Sequence, residues 1–236
     1  RIIINALDGD SVLDDTDGVV ASSNVYYFAG IALTAKVYND EEYCNFRGNW
    51  YKVEPIRWRI AADENQATGN YFSSTSGFMA VMESVVYVGE YSETALSLNQ
   101  GYLSVHGDES SSFSAVKYFL SNFNVDDSSY LVEFSANSQS YSSTGHVTES
   151  SNSTIFLSSK EEINSICGGY ATDFSDLAID YLNSPYGDGQ YYFVRDLGSN
   201  LNSVCSYTSG GGEIYNKPIS VLGMRLTIKI SEYICL

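Results

Sequence analysis

"VLGMRLTIKI", residues 221–230, alternates more strictly than any other stretch of this chain. Leu222, Met224, Leu226, Ile228 and Ile230 share one face of an extended backbone, and Arg225, Thr227 and Lys229 share the other. Successive side chains of a strand point to opposite faces, so the period predicts a strand with one apolar face on a core. Outward from it, the same kind of reading finds more short strands. They are "RIIINAL" (1–7), two pieces around Gly30 in "VVASSNVYYFAGIALTAKVY" (19–38), "NWYKV" (49–53) and "IRWRIAA" (56–62). "FMAVMESVVYVGEY" (78–91), "SYLVEFSA" (129–136) and "TIFLSS" (154–159) follow. In the segment after Pro55, Ile56, Trp58 and Ile60 alternate with Arg57 and Arg59.

Three segments carry the helical period instead. "SAVKYFLSNF" (114–123) places Val116, Phe119, Leu120 and Phe123 in one stripe. "SSKEEINSICGG" (158–169) opens with Ser159 and Glu162 at capping-box spacing and stops at Gly168–Gly169. "DFSDLAIDYLNSP" (173–185) ends before Pro185. The Ser-rich stretches around residues 110 and 140 read as loops. Short, mostly antiparallel strands with about three segregated helices predict an α+β class. The expected organisation is an N-terminal strand and acidic loop over 1–20, then one domain over 21–236.

The 236 residues suffice for a sizeable core, and 29 acidic against 12 basic side chains give a net charge of −17. Such a surface repels phosphate backbones and anionic headgroups, which makes nucleic acid and bare membrane poor candidates as partners and cations or neutral ligands better ones. No apolar run is long enough to span a bilayer. A first residue of Arg rather than Met, twenty Tyr and few Lys lead to the expectation of a processed, mature extracellular or cell-surface chain. Cys44, Cys167, Cys205 and Cys235 contain no C-x-x-C pair. Their even number in an exported chain predicts two disulfides, of which three connectivities exist.

Residues 6–20, "ALDGDSVLDDTDGVV", hold Asp8, Asp10, Asp14, Asp15 and Asp17 with no basic residue among them. An EF-hand loop needs oxygens at positions 1, 3 and 5 before its Gly. With Asp17–Gly18 at positions 5 and 6, Leu13 falls at position 1, so this is no EF-hand. A looser calcium site and a plain solvated turn both remain open, calcium accepting six to eight oxygens in flexible geometry. No cofactor is required by any motif.

Catalytic patterns are missing. There is no nucleophile elbow and no H-E-x-x-H; His106 and His146 both fall in Ser- and Gly-rich stretches; Gly210–Gly212 lacks the lysine of a phosphate loop. Asn152-Ser153-Thr154 is a glycosylation sequon.

From about residue 24 to 230, the order of short motifs resembles a widespread uncharacterised domain of exported bacterial proteins. "NWYKVEPIRWRIAA" is the most specific match, to a "Y-F-K-V-E-P-I-K-W-R-V-L" pattern. "FSAVKYFLSNF", "IFLSSKEEI", "YYFVRDLGS" and "LGMRLTIKI" stand in the order of that family's helix, S-x-E-E, Arg-bearing and closing "G-V-R-P" motifs. Met224 and Leu226 replace its usual valine and proline, and Asp196–Leu197 its Ser–Pro. More distantly the pattern is similar to the C-type-lectin-like fold of formylglycine-generating enzymes, without a counterpart of their copper-binding cysteine pair. That fold implies a Cys44–Cys235 bridge, leaving Cys167–Cys205. Arg59, Arg195 and Arg225 lie in the best-matched motifs, and read either as ion-pair partners fixing strand packing or as walls of a shared ligand pocket.

Function is expected to be non-enzymatic. The first expectation is a structural subunit of a self-associating cell-surface assembly or filament. Arg1, Ile2, Ile3, Ile4 and Leu7 would lie in a strand paired within its own sheet or with a neighbouring subunit's. The alternative is a calcium-assisted, lectin-like module for carbohydrate, with Trp50 and Trp58 as candidate stacking aromatics.

Overall fold

The computed structural model describes residues 2–6, 18–28, 31–61, 78–90, 131, 134–142, 145–153, 155–198, 203–217 and 219–230. Within them the chain is α+β, with most residues in antiparallel strands and two short helices. The expected helix over 114–123 lies outside the described residues.

The first sheet runs β1 (Ile2–Ala6), β6 (Asn49–Glu54), β5 (Glu41–Phe46), β4 (Ile31–Tyr38) and β2 (Val20–Ala21), with β3 (Tyr26–Phe28) also on β4. β4, β5 and β6 are joined by two tight turns. Asn39 and Asp40 adopt φ of 53° and 62°, and Arg47 and Gly48 55° and 92°, as a two-residue turn with left-handed central residues requires. β1 is antiparallel to β6, from Ile2 opposite Glu54 to Ala6 opposite Tyr51. The N-terminal strand therefore pairs within its own sheet, at the edge farthest from β2.

A second sheet has the order β12 (Ile155–Leu157), β17 (Leu226–Ile230), β8 (Phe78–Met82) and β7 (Trp58–Ile60). A third runs β15 (Glu213–Asn216), β14 (Val204–Thr208), β13 (Tyr191–Leu197), β16 (Val221–Met224) and β9 (Tyr87–Glu90). A hairpin of β10 (Phe134–Ser142) and β11 (Gly145–Ser153) forms a two-stranded sheet of its own, with β10 near β13. It corrects the expected loop around residue 140. Serine carries no apolar period for a pattern to find, yet every position pairs, from Phe134 opposite Ser153 to Ser142 opposite Gly145. His146 and Asn152 consequently sit in a ladder, not in a loop.

Helix α1 (Lys160–Cys167) has the expected capping box. Glu162 N–H donates to Ser159 Oγ at 3.1 Å, and Ser159 N–H donates to Glu162 Oε2 at 2.9 Å. It ends on Gly168 at φ 74°, a conformation that costs glycine nothing. Helix α2 (Asp176–Leu182) is capped by Ser175, which accepts from Ala178 N–H at 3.2 Å. α2 packs against β1, and Tyr181 joins Phe28 and Phe46 in a ring cluster with centroids 5.7 to 5.8 Å apart. One contiguous core spans the sheets and both helices.

The opening decapeptide is not one strand. It breaks at Arg225, and its halves belong to different sheets, β16 pairing with β9 and β17 with β8. Residues 222–229 are all buried, so the face carrying Arg225, Thr227 and Lys229 is as deep as the apolar one. The partner strand breaks at the same level. Met224 pairs with Tyr87 and Thr227 with Val81, so Arg225 and Leu226 face the five residues 82–86. This is a large bulge, and bulges redirect a strand and leave backbone groups off the ladder.

Candidate functional site

The bulge leaves polar backbone to be satisfied, and the surrounding chain does so in two ways. Residues 172–175 insert beside it. Val85 N–H donates to Asp173 O and Ser175 N–H to Val85 O, both at 2.9 Å, and Thr172 Oγ1 donates to Glu83 O at 2.8 Å. The Arg225 side chain fills the rest. Its Nε donates to Met82 O at 2.8 Å and its Nη2 approaches Glu83 O at 3.4 Å and Cys167 Sγ at 3.1 Å.

Arg225 is 2% exposed, and no carboxylate pairs with it among the described residues. Its Nη1 meets no hydrogen-bond acceptor among them either. Tyr192 lies against the guanidinium, ring centroid 5.8 Å away; its hydroxyl donates to Tyr170 O at 2.5 Å and turns its oxygen to Arg225 as an acceptor. Burial pushes the Tyr192 hydroxyl up to about 12, with the Arg225 charge pulling the other way. Neutral carbonyls, a thiol and a phenol thus hold a buried cation that keeps a spare donor.

Arg225 lines a cleft of about 390 Å³, bounded by the approach to β7, the bulge, the end of α1 and residues 171–175. Arg57 and Arg59 line it as well, so three of the chain's six arginines meet there, facing Glu54, Glu83 and Asp173. Arg59 reaches Glu83 at 3.3 Å, an exposed pair worth about 0–1 kcal/mol. Cys167 is half-buried on the same wall. Burial raises its thiol pKa before any charge acts, and Arg225 and Arg59 only partly offset this.

Arg195 takes the other course. Its Nη2 and Nη1 grip Glu162 Oε1 at 2.6 Å and Oε2 at 3.3 Å, and Nη1 also donates to Leu157 O at 2.7 Å. Thr227 Oγ1 lies 2.8 Å from both Glu162 Oε2 and Ser158 Oγ. Since an ionised carboxylate only accepts, Thr227 donates to it and takes the Ser158 proton in turn. Both ion-pair residues are at most 2% exposed. The two readings of the three arginines therefore divide among them: Arg195 is a packing ion pair, while Arg59 and Arg225 line one cleft.

Other expected site residues fall elsewhere. Cys44, Cys167 and Cys205 are free thiols, so the implied Cys167–Cys205 bridge is not formed; Cys235 lies outside the described residues. Cys44 and Cys205 are fully buried in β5 and β14, whereas Cys167 faces the cleft beside Arg225. Asp8, Asp10, Asp14, Asp15 and Asp17, with Arg1 and Leu7, also lie outside them, and Ile2, Ile3 and Ile4 are in β1. No group of three or more His, Cys, Asp or Glu among the described residues is placed to hold a metal ion. Trp50 is 2% exposed beneath the Lys36 ammonium, which leaves its ring no open stacking face, and Trp58 is partly buried against the core.

A wider hollow of about 830 Å³ adjoins the cleft through Glu54, Pro55 and Arg57. Two of its four acids are committed internally: Ser22, Asn24 and Tyr26 donate to Glu42, and Lys52 and Tyr43 to Glu41. Sequence patterning places Arg225 on a strand but gives no sign of the bulge opposite. The interruption "MESVV" within an apolar run is its only trace.

No protein-family model, curated protein or solved structure matches this chain. No described helix is long and apolar enough to cross a membrane.

Proposed function

We propose that this chain is a non-enzymatic extracellular binding module whose bulge cleft receives the negatively charged group of a ligand. The observation that carries the reading is Arg225, a buried guanidinium on the cleft wall with no carboxylate partner among the described residues and an unfilled Nη1 donor. Buried charges are costly unless paired, and buried donors are nearly always satisfied, so the site is complete only with an acceptor in it. The absence of a catalytic constellation in the sequence and the raised thiol pKa of Cys167 favour binding over chemistry. Melting the protein in chloride and in acetate at equal ionic strength tests this. The wild type should gain stability in acetate and Arg225→Met should not. An equal response in both proteins overturns the reading.

A second reading, the structural subunit, draws on β1. It is an edge strand held by β6, at the opposite edge of the sheet from β2. The same pairing made with a neighbour's β6 would link subunits by strand addition. Light scattering of the full chain and of a chain lacking residues 1–7 separates the cases, with EDTA added to test the aspartates as a calcium joint. An assembly lost on deletion supports strand exchange, and a 26.0 kDa particle in every condition removes it.

A further inference from the structure

We propose that the charged group taken by the cleft is a single carboxylate, carried on a small, otherwise uncharged polar molecule. The inference rests on the binding reading above and narrows it to a ligand class. Three features of the cleft point there.

Charge is the first. Arg57, Arg59 and Arg225 are balanced by Glu54, Glu83 and Asp173 around the same space, in a chain of net charge −17. A monoanion is tolerable in that setting. A phosphate or sulfate dianion would add a second negative charge against Glu83 and Asp173 with no second uncommitted buried cation to meet it.

Geometry is the second. Nε of Arg225 is committed to Met82 O, which leaves the opposite edge of the guanidinium for a ligand. On that edge Nη1 is unfilled, and the guanidinium otherwise meets the Cys167 sulfur, a long contact to Glu83 O and the neighbouring Tyr192 hydroxyl. Sulfur is a weak acceptor, easily displaced by a carboxylate oxygen. Two parallel N–H groups on a planar guanidinium match the two oxygens of a planar carboxylate. Arg59, exposed and held only by Glu83, supplies long-range attraction at the mouth.

The remaining wall is the third. It is more polar than apolar, with Ser84 beside Pro55, Ile56 and Ala171, in a volume near the lower end of the ~300–1,000 Å³ usual for small-molecule sites. Hydroxyls or amides suit such a wall better than an aromatic or aliphatic body does.

Cys167 reports occupancy, because a carboxylate seated on Arg225 covers its thiol. Alkylation of the full chain by iodoacetamide, read at the Cys167 peptide by mass spectrometry, is measured with galacturonate, galactose, inorganic phosphate, and a short peptide with a free or amidated C-terminus. Galacturonate or the free-terminus peptide should slow labelling about tenfold at saturation. Galactose, phosphate and the amidated peptide should leave it within about twofold. Whichever of the two carboxylates protects at lower concentration identifies the source.

Arg225→Met should weaken protection about tenfold or more, the usual loss for one charge-assisted contact. Arg59→Gln, an exposed change that spares the fold, should weaken it a few-fold. Phosphate protecting as well as galacturonate, with the same dependence on Arg225, would overturn the carboxylate and leave the anion cleft standing. No protection by any anion overturns both.

Discussion

Arg195 and Arg225 are both buried arginines at interruptions of the strand ladders, and their surroundings differ in one respect. Arg195 meets the two oxygens of Glu162, themselves fixed by a helix cap and by Thr227. Among the described residues Arg225 meets carbonyls, a thiol and the Tyr192 phenol, and no carboxylate. The two are joined through Ser158, which donates its N–H to Arg225 O and accepts from Arg195 N–H, both at 2.8 Å. A fully satisfied network specifies structure, whereas a network with one vacancy keeps a charge available. The fold thus places a locked arginine and an open one a single residue's hydrogen bonds apart.

The comparison breaks most visibly at Glu162. Glu162→Ala strands the Arg195 charge in the core and frees the Ser159 N–H, and should cost about 3–5 kcal/mol in denaturant unfolding. Replacing both partners, Glu162→Met with Arg195→Met, should cost much less, because no unpaired charge is left behind. Arg225→Met behaves differently. It removes a cation that has no anion, and Glu83 O retains the Thr172 hydroxyl, so about 1 kcal/mol is expected. A loss as large as that of Glu162→Ala would mean that Arg225 is also a packing residue.

Between these falls Gly223, two residues before the open arginine. A Cβ there would stand 2.5 Å from Val85 Cγ1, 2.9 Å from the Phe174 ring and 3.1 Å from Tyr191 O. Gly223→Ala should therefore cost about 1–3 kcal/mol through overpacking, seen as a lowered unfolding midpoint with an unchanged slope. Because Val85 and Phe174 hold residues 172–175 against the bulge, the same variant should weaken anion binding although it touches no charge.

How much of this the sequence shows depends on the kind of signal. The capping box at Ser159 and Glu162 is local, and it is legible in four residues. The strands at 31–38 and 155–157 and the helix before Pro185 come from periodicity in the same way. Residues 221–230 mislead because their period is real yet spans two sheets; the break depends on five residues opposite, more than a hundred positions away. The hairpin over 134–153 is missed for the opposite reason, since its serines and asparagines make backbone pairs without an apolar period. Arg225 and Arg195 look alike in sequence, each a basic residue in a mostly apolar strand segment, and the acid beside Arg195 in sequence, Asp196, is not the one that pairs with it. Only the position of Glu162, on a helix that follows β12, decides which of them is neutralised.

The smallest expected effect concerns the ion pair nearest to Glu162 on the surface. Lys160 opens α1 and reaches Glu213 on β15 at 3.2 Å, both side chains about a third exposed. The Tyr215 hydroxyl holds the Glu213 carboxyl below its usual range, with Lys160 adding to this, against the opposing effect of burial. A depressed carboxylate contributes stability that is full above the unfolded pKa and is lost as pH falls through the folded value. Glu213→Gln should accordingly destabilise the protein at neutral pH by no more than about 1 kcal/mol, after solvent screening. The gap between variant and wild type should close as the pH is lowered below the ordinary glutamate range, and should shrink with salt at neutral pH. Chemical denaturation of both proteins at several pH values measures it. A gap that persists at low pH would assign the Glu213 contribution to its contacts with Tyr207 and Tyr215 as a neutral acceptor rather than to charge. In that case the surface pair would share nothing with the buried one except its geometry.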